Sequence, residues 1–380
     1  MDMKRRVVVA MSGGVDSSVA AYLVKEAGYE AVGLFMRMGN PYGLSFGQRA
    51  RSCCSLEDAE DARRVAEQLD IPFYVLDFRK DFEGLIDYFC QEYSRGRTPN
   101  PCVKCNQRLK FGKLLQFALE IGAKNLATGH YARVERPLSR YVLKKGLDLK
   151  KDQSYALFCL SQKQLSHSLF PLGEMTKEEV RKKAGELGLK TRDKPESQEV
   201  CFVSGDGYSG LIKERMGETR GGLIKDTHDR VLGRHPGIEF FTIGQRKGLG
   251  LAMGIPYYVV DINPAEATVV VGTKEELLEK EFLVKGLNWV AVEGLKEETQ
   301  AEVKIRYTHP AAPATLYPEG QDTVRVVLHV PQNAVTPGQA AVFYERDVVL
   351  GGGWIEETVV KETSVSKGVL QYTPTRENGG

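Results

Sequence analysis

The seven residues Ser12-Gly-Gly-Val-Asp-Ser-Ser18 constrain this chain more than any other stretch. They follow residues 6–11, RVVVAM, a short continuous apolar run of the kind that forms a buried parallel strand. They lead into residues 17–27, which read as a helix. Two adjacent glycines let the backbone turn tightly and aim successive N–H groups at one point, and the helix N-terminus adds its partial positive charge. Ser12, Ser17 and Ser18 add hydroxyl donors, so the turn is built for an anion. A glycine turn with serine caps would account for a lone Gly-Gly; placement after the first strand and the complete string set that reading aside.

The pattern downstream continues the unit that the loop begins. Residues 31–36 (AVGLFM) and 72–76 (PFYVL) read as strands, 56–69 and 82–93 as helices, 109–120 as a helix and 125–128 as a strand. Strand and helix alternate, which predicts a doubly wound parallel sheet with ligands at the carboxyl ends of its strands. Helical pattern continues through 176–187, which opens with the capping-box string TKEE. From about Gly205 glycines multiply and short β-branched runs replace helices. Beyond 280 the runs EVKIRY, TVRVVLHV, AAVFY and DVVLGGGWI predict an all-β module. At 380 residues the chain exceeds one comfortable core. The expected division is an α/β domain over 1–204, a β-rich central domain over 205–277, a C-terminal β-barrel over 278–360 and a flexible tail over 361–380.

Composition narrows the setting. No run of about 18 apolar residues is present, so no membrane span is expected. The N-terminus MDMKRRVVVAM has no signal-peptide h-region. Seven cysteines, an odd number confined to residues 53–201, fit a reducing compartment better than a disulfide scaffold. The chain is therefore expected to be cytoplasmic. Its net charge of +2 hides a local patch: residues 95–113 hold six Lys or Arg and no acid, the footprint of a nucleic-acid phosphate contact or of a solvated loop. Within that patch lies TPNPCVKCN, residues 98–106, with Cys102 and Cys105 three apart. By itself the spacing is open to metal, redox and nucleophilic readings.

No Gly-Lys-Ser/Thr follows the glycine loop, so it is not a Walker A motif. It resembles instead the PP-loop of N-type ATP pyrophosphatases, which release pyrophosphate and transfer AMP to an acceptor oxygen. That resemblance puts Asp16 near the Mg²⁺ that neutralises the leaving group. Adenylation turns an oxygen into a leaving group, and Cys102, Cys105 and Cys201 offer sulfur to replace it. The strings SGGVDSS, GLFM, TPNPxxxCN, ATGHY, KDQSY, SQEVCF, TIGQRKGLG and TPGQAAVFY occur in this order over residues 10–345. Together they resemble the tRNA-specific 2-thiouridylases, which thiolate C2 of the wobble uridine.

The resemblance implies an ATP site at Ala10, Met11, Ser12, Gly13, Gly14, Val15, Asp16, Ser17, Met36 and Gly129. It implies tRNA contacts at Asn100, Pro101, Cys102, His130, Lys151, Asp152, Gln153, Arg306, Tyr307 and Gln339. Cys105 matches the attacking cysteine and Cys201 the persulfide carrier. The implied partners are tRNA with Lys-, Glu- and Gln-type anticodons and a persulfide-donating carrier or cysteine desulfurase, with no membrane and no DNA. Two alternatives are a PP-loop ligase acting on a small molecule and a non-catalytic RNA-binding or metal-storage protein. The family has an aspartate where this chain has Cys102. With Cys105 and Cys201 it makes three thiols, a set that can hold a [4Fe–4S] cluster with one open iron. A persulfide relay through Cys201 and Cys105 competes with that cluster, which is the reading the sequence favours. Cys90 and Cys159 read as buried filler, and Cys53-Cys54 carries no assigned role.

Overall fold

The computed structural model describes residues 5–39, 56–137, 139–195, 200–203, 208–251 and 254–358. Cys53, Cys54, residues 197–199 of the SQEVCF string and the expected tail lie outside them. Strand β1 (Arg6–Ala10) runs into helix α1 (Val15–Glu26) and strand β2 (Glu30–Arg37). Helix α2 (Leu56–Gln68), strand β3 (Phe73–Asp77) and helix α3 (Arg79–Ser94) follow. Helix α4 (Pro101–Cys105) passes through a π-helical stretch, Asn106–Leu114, into helix α5 (Leu115–Glu120) and strand β4 (Asn125–Ala127). A hairpin of β5 (Ala132–Glu135) and β6 (Val142–Lys145) precedes α6 (Gln162–Ser166), β7 (Ser168–Leu169) and α7 (Lys177–Glu186).

The first sheet is parallel, in the order β3-β2-β1-β4-β7. The chain leaves β1 toward β2 and β3, then returns to the other side of β1 at β4. The carboxyl end of β1 is therefore the topological switch point, where an open α/β sheet binds its ligand. Val7, Val8 and Val9 are fully buried, as a continuous apolar run covered on both faces requires. The capping box at α7 is present: Thr176 accepts from the Glu179 N–H while Glu179 returns the bond.

Two expectations change. The helix expected over 109–120 begins earlier, at Pro101, because Asn100 caps it through Val103 and proline suits the first helical position. The glycine-rich region after 205 also holds a helix, α8 (Tyr208–Met216), whose Leu211 and Ile212 are buried. Local glycine content did not outweigh the burial of that apolar pair. Beyond it, β8 (Gly222–Asp226), β9 (Val231–His235), β10 (Tyr258–Asn263) and β11 (Thr268–Gly272) form a four-stranded sheet in the order β10-β11-β8-β9.

The remaining strands are β12 (Leu278–Trp289), β13 (Thr299–Lys304), β14 (Ala312–Pro318), β15 (Thr323–Asn333), β16 (Ala340–Glu345) and β17 (Val348–Thr358). They pair in the order β12-β15-β14-β13-β16-β17, and β17 returns to β12, closing a six-stranded antiparallel barrel. Closure removes the free edges such strands would otherwise expose. β17 also pairs with β6 at Val348 and Lys144, which ties the barrel to the α/β domain. Among the described residues no helix is long and apolar enough to cross a membrane.

A second tie bears on the site. The Thr98 N–H donates to the Pro337 carbonyl at 2.9 Å, and Gln339 Nε2 donates to the Thr98 and Pro99 carbonyls at 3.1 and 3.0 Å. Arg97 forks onto both carboxylate oxygens of Glu356, at 2.7 and 3.0 Å, and its Nε meets Glu92 at 2.9 Å. Gly338 has φ +89°, and a Cβ there would lie 2.8 Å from the Thr98 carbonyl oxygen. Replacing Gly338 by Ala should therefore add a clash to a left-handed strain of about 1–3 kcal/mol. Gly188 has φ +64° with nothing within 4 Å of its missing Cβ, so Gly188→Ala carries the strain alone. Thermal unfolding should show a distinctly lower midpoint for Gly338→Ala than for Gly188→Ala; equal midpoints would mean the close approach is unimportant.

Candidate active site

Ala10 ends β1, and the Met11 N–H continues the sheet by donating to the Leu34 carbonyl at 2.8 Å. From there the chain turns through Gly13, at φ +74°, where a Cβ would lie 2.2 Å from the Asp58 carbonyl oxygen. Gly14 caps α1 with no side-chain acceptor, so Val15 and the residues after it begin the helix with amide donors that no side chain caps. Ser17 Oγ accepts from the Ser12 N–H at 3.1 Å and donates to the Gly14 carbonyl at 3.0 Å. The serine hydroxyls brace the loop from inside. Gly129, at the end of β4, lies against α1: a Cβ there would stand 2.8 Å from the Ser17 nitrogen. Met36 is buried at the carboxyl end of β2. The expected ATP residues thus share one end of the sheet.

Asp16, partly exposed, makes a charged contact. Lys177 Nζ lies 2.8 Å from both of its oxygens, and the Tyr131 hydroxyl donates to one at 2.7 Å. Lys194 makes a second such contact, donating to the Gly13 carbonyl at 3.2 Å and to Asp58 and Asp61 at 2.6 and 2.7 Å. Sequence reasoning missed Lys177, Lys194, Tyr131, Asp58 and Asp61. The capping box announced the helix bearing Lys177, but only the fold brings that lysine back to residue 16.

The cysteine segment sits between the α/β domain and the barrel. Cys102 is exposed on α4, whereas Cys105 is buried in the main core and Cys201 packs, half-buried, against that same core. Phe202 wedges edge-on against Phe82 and Phe89, with ring centroids 5.5 and 5.1 Å apart, and so anchors the Cys201 segment to α3. Lys104, between the two cysteines, turns its ammonium over the Trp354 ring of the barrel at 4.2 Å. Burial, followed by the nearby Arg108 charge, lowers its pKa. Asn106 donates to the Ala156 carbonyl at 3.0 Å while its Oδ1 is buried with no partner among the described residues. Burial pushes the Cys90 thiol up to about 11 and the Cys159 thiol up to about 12, so both stay protonated near neutrality. They are filler, as expected.

Among the described residues no three His, Cys, Asp or Glu side chains are grouped to hold a metal ion. Cys102, Cys105 and Cys201, all described, do not form a ligand set in this arrangement. The favoured cluster reading finds no site here, because an i, i+3 pair on one helix leaves the third thiol on a separately anchored segment.

The expected tRNA residues divide into two kinds. Asn100, Pro101 and Cys102 open α4, and the Tyr155 phenol, held by the Ala340 carbonyl at 2.9 Å, faces both Asn100 and the Arg306 guanidinium. Arg306 donates to the Ile243 carbonyl and the Thr336 hydroxyl, while Tyr307 is 44% exposed beside it. Lys304 lies over both Tyr155 and Tyr307, at 5.9 and 5.6 Å. These groups meet where the three domains adjoin. The others brace the fold. Asp152 is buried, accepting from the Gly146 and Ser154 N–H groups at 3.1 and 3.0 Å; Gln153 accepts from the Tyr131 N–H at 3.0 Å. Lys151 beside them is half-exposed. His130 is buried between Phe111 and Phe170 with Nδ1 2.7 Å from the Thr128 hydroxyl, and burial holds it neutral, well below the usual imidazole range. Gln339 holds the Thr98–Pro99 backbone, as described above.

Comparison with known proteins follows this geometry. Residues 5–205 match a family model described as a tRNA methyl transferase HUP domain, 209–273 a tRNA methyl transferase PRC-barrel domain, and 279–355 an aminomethyltransferase β-barrel domain. A tRNA-specific 2-thiouridylase MnmA of Carboxydothermus hydrogenoformans is 50% identical over 358 residues, covering 93% of this chain and 98% of that protein. One of Clostridioides difficile is 46% identical over 94% of this chain and all of its own length, and MnmA 2 of a Thermoanaerobacter species is 49% identical over 94% and 99%. Among solved structures, a 4-thiouridine synthetase–RNA complex with bound ATP aligns over 52% of this chain and 45% of its own at 17% identity, with a TM-score of only 0.35. The full-length identities are decisive: the chain belongs to the tRNA-specific 2-thiouridylase family.

Proposed function

We propose that this chain thiolates C2 of the wobble uridine of tRNA by ATP-dependent adenylation followed by a cysteine persulfide relay. The observation that carries the reading is the packing of the cysteine helix in one core with the strands of the parallel sheet and the barrel strand β16. In this reading the target base enters beside Asn100 and the exposed Cys102, where α4 opens.

The loop residues Ser12–Ser17 hold the triphosphate through amides and hydroxyls, and charge stabilisation of this kind is commonly the largest catalytic contribution. Mg²⁺, when bound, neutralises the departing pyrophosphate. It is usually held by one or two carboxylates plus substrate phosphates, and Asp16 supplies a carboxylate of that kind. Lys177 keeps that carboxylate oriented, while His130, kept neutral, adds no charge to the floor of the site.

In the relay, uridine O2 attacks the α-phosphorus of ATP and pyrophosphate leaves. The terminal sulfur of a Cys201 persulfide then attacks C2. The Cys105 thiolate attacks the Cys201 sulfur, forming a disulfide; the released electron pair stays on the substrate sulfur, and AMP departs as C=S forms. A thiol reductant restores both cysteines, and a persulfide-donating carrier or cysteine desulfurase reloads Cys201. Burial of Cys105 and Cys201 against one core, with Cys102 left exposed, supports the relay over the cluster. We read the setting as cytoplasmic and the substrates as tRNAs with Lys-, Glu- and Gln-type anticodons, following the family.

Formation of 2-thiouridine on unmodified tRNA should be abolished in Cys105→Ser and Cys201→Ser and largely retained in Cys102→Ser. An inactive Cys102→Ser, together with stoichiometric iron and sulfide in anaerobically purified protein, would overturn the relay in favour of the cluster. Gly13→Ala, whose Cβ would collide with the Asp58 carbonyl, should lower AMP and pyrophosphate release by roughly 10²–10³-fold, the scale of losing one charge-stabilising donor. Circular dichroism should show the fold retained; unchanged turnover would count against the loop as the nucleotide site.

A further inference from the structure

The glycine-rich loop between β9 and β10 has no part in the chemistry above, yet it starts beside Arg306. Arg306 donates to the Ile243 carbonyl at 3.1 Å, and a Cβ on Gly244 would stand 3.9 Å from the same guanidinium nitrogen. The root of the loop is fixed. The Gly244 N–H donates to the Val259 carbonyl at 2.8 Å, and the Val259 N–H returns to the Gln245 carbonyl at 2.9 Å. Gln245 further accepts from the Thr242 N–H at 3.1 Å and donates to the Lys247 carbonyl at 3.0 Å. Beyond that root Gly248 and Gly250 adopt φ +76° and +68°, conformations a side chain would strain.

On this pinned frame Arg246 and Lys247 are exposed, and neither has an acidic partner among the described residues. Arg230 by contrast is paired with Asp226, and Arg325 with Glu281 and Glu319. An open concave space of about 490 Å³ lies at the loop, lined by Arg246, two glycines, Leu249, Leu251 and residues 255–257. Unpaired cations beside glycine backbone and an apolar, aromatic lining suit a ribose-phosphate strand with a base laid against that lining.

We propose that residues 244–251 form a second RNA contact, in which Arg246 and Lys247 take the backbone of the same tRNA whose wobble base enters beside Asn100. This rests on the tRNA-thiolating reading above and assigns the central domain its share of substrate binding. The loop reads phosphates and sugar, so it adds affinity and orientation without base specificity.

The test is the salt dependence of tRNA binding by the full chain, followed by fluorescence anisotropy. Each phosphate contact contributes roughly 0.7–0.9 to the slope of log affinity against log salt, so Arg246→Ala/Lys247→Ala should reduce the slope by about 1.4–1.8. Arg246→Lys/Lys247→Arg should keep it. Lys274→Ala/Lys296→Ala, which removes two exposed cations elsewhere, controls for net charge, and unchanged ATP binding shows that each variant is folded. An unaltered slope in Arg246→Ala/Lys247→Ala, or an equal fall in the control, overturns the loop contact while leaving the tRNA reading intact. Absence of any salt-dependent tRNA binding by the unaltered chain removes both.

Discussion

The contact on which the site depends is a backbone contact between domains. Residues 97–99 of the α/β domain and 337–339 of the barrel exchange a main-chain bond and two glutamine bonds, closed by the Arg97–Glu356 fork. Such contacts have little tolerance, because carbonyls and amides must meet at hydrogen-bond distance and Gly338 leaves no room for a side chain. The proline-rich bend before α4 is thereby held from outside its own domain. Cys102 and Cys105 are thus positioned by the barrel as much as by the sheet that bears them. The barrel thus helps fix where these two cysteines stand.

Charge at the nucleotide loop follows a similar logic. Two lysines from the chain after β7 return to the loop, Lys177 to Asp16 and Lys194 to Asp58, Asp61 and the Gly13 carbonyl. Lys177 is almost wholly buried while Asp16 stays partly exposed, so removing Asp16 would leave a buried ammonium without this carboxylate. The result is a loop held from both sides, with the first amides of α1 left uncapped by any side chain. Hydroxyl bonds among Ser12, Ser17 and Gly14 hold that arrangement before any nucleotide arrives. Preorganisation of this sort spares the reaction the cost of reorienting dipoles.

Much of this was legible in the residues. The strand, glycine turn and helix at the start were read from a continuous apolar run and a seven-residue string, and the barrel from its alternating runs. Their signals are local, so a single sequence carries them. The early start of the α4 segment and helix α8 were missed because a proline cap and a short buried apolar pair are weak beside glycine content. The gathering of Cys102, Cys105 and Cys201 into a cluster was an inference from residue type, and residue type says nothing about which way three thiols face. Asp152, Gln153 and Gln339 were matched as RNA contacts, and what residue type did not tell is that their hydrogen bonds also brace the protein's own backbone.

By itself the sequence determined the chemistry available: an anion-binding loop, seven cysteines all within the first 201 residues, and a cationic stretch around two of them. Those properties reside in side chains and in short-range backbone geometry. Only the tertiary structure decided how they combine. It set the burial of Cys105 against the exposure of Cys102, the return of Lys177 across 161 residues to Asp16, and the meeting of Arg306 with Ile243 across domains. Each of these is a long-range contact fixed by packing the sheet, the central domain and the closed barrel against one another, and no local pattern encodes it.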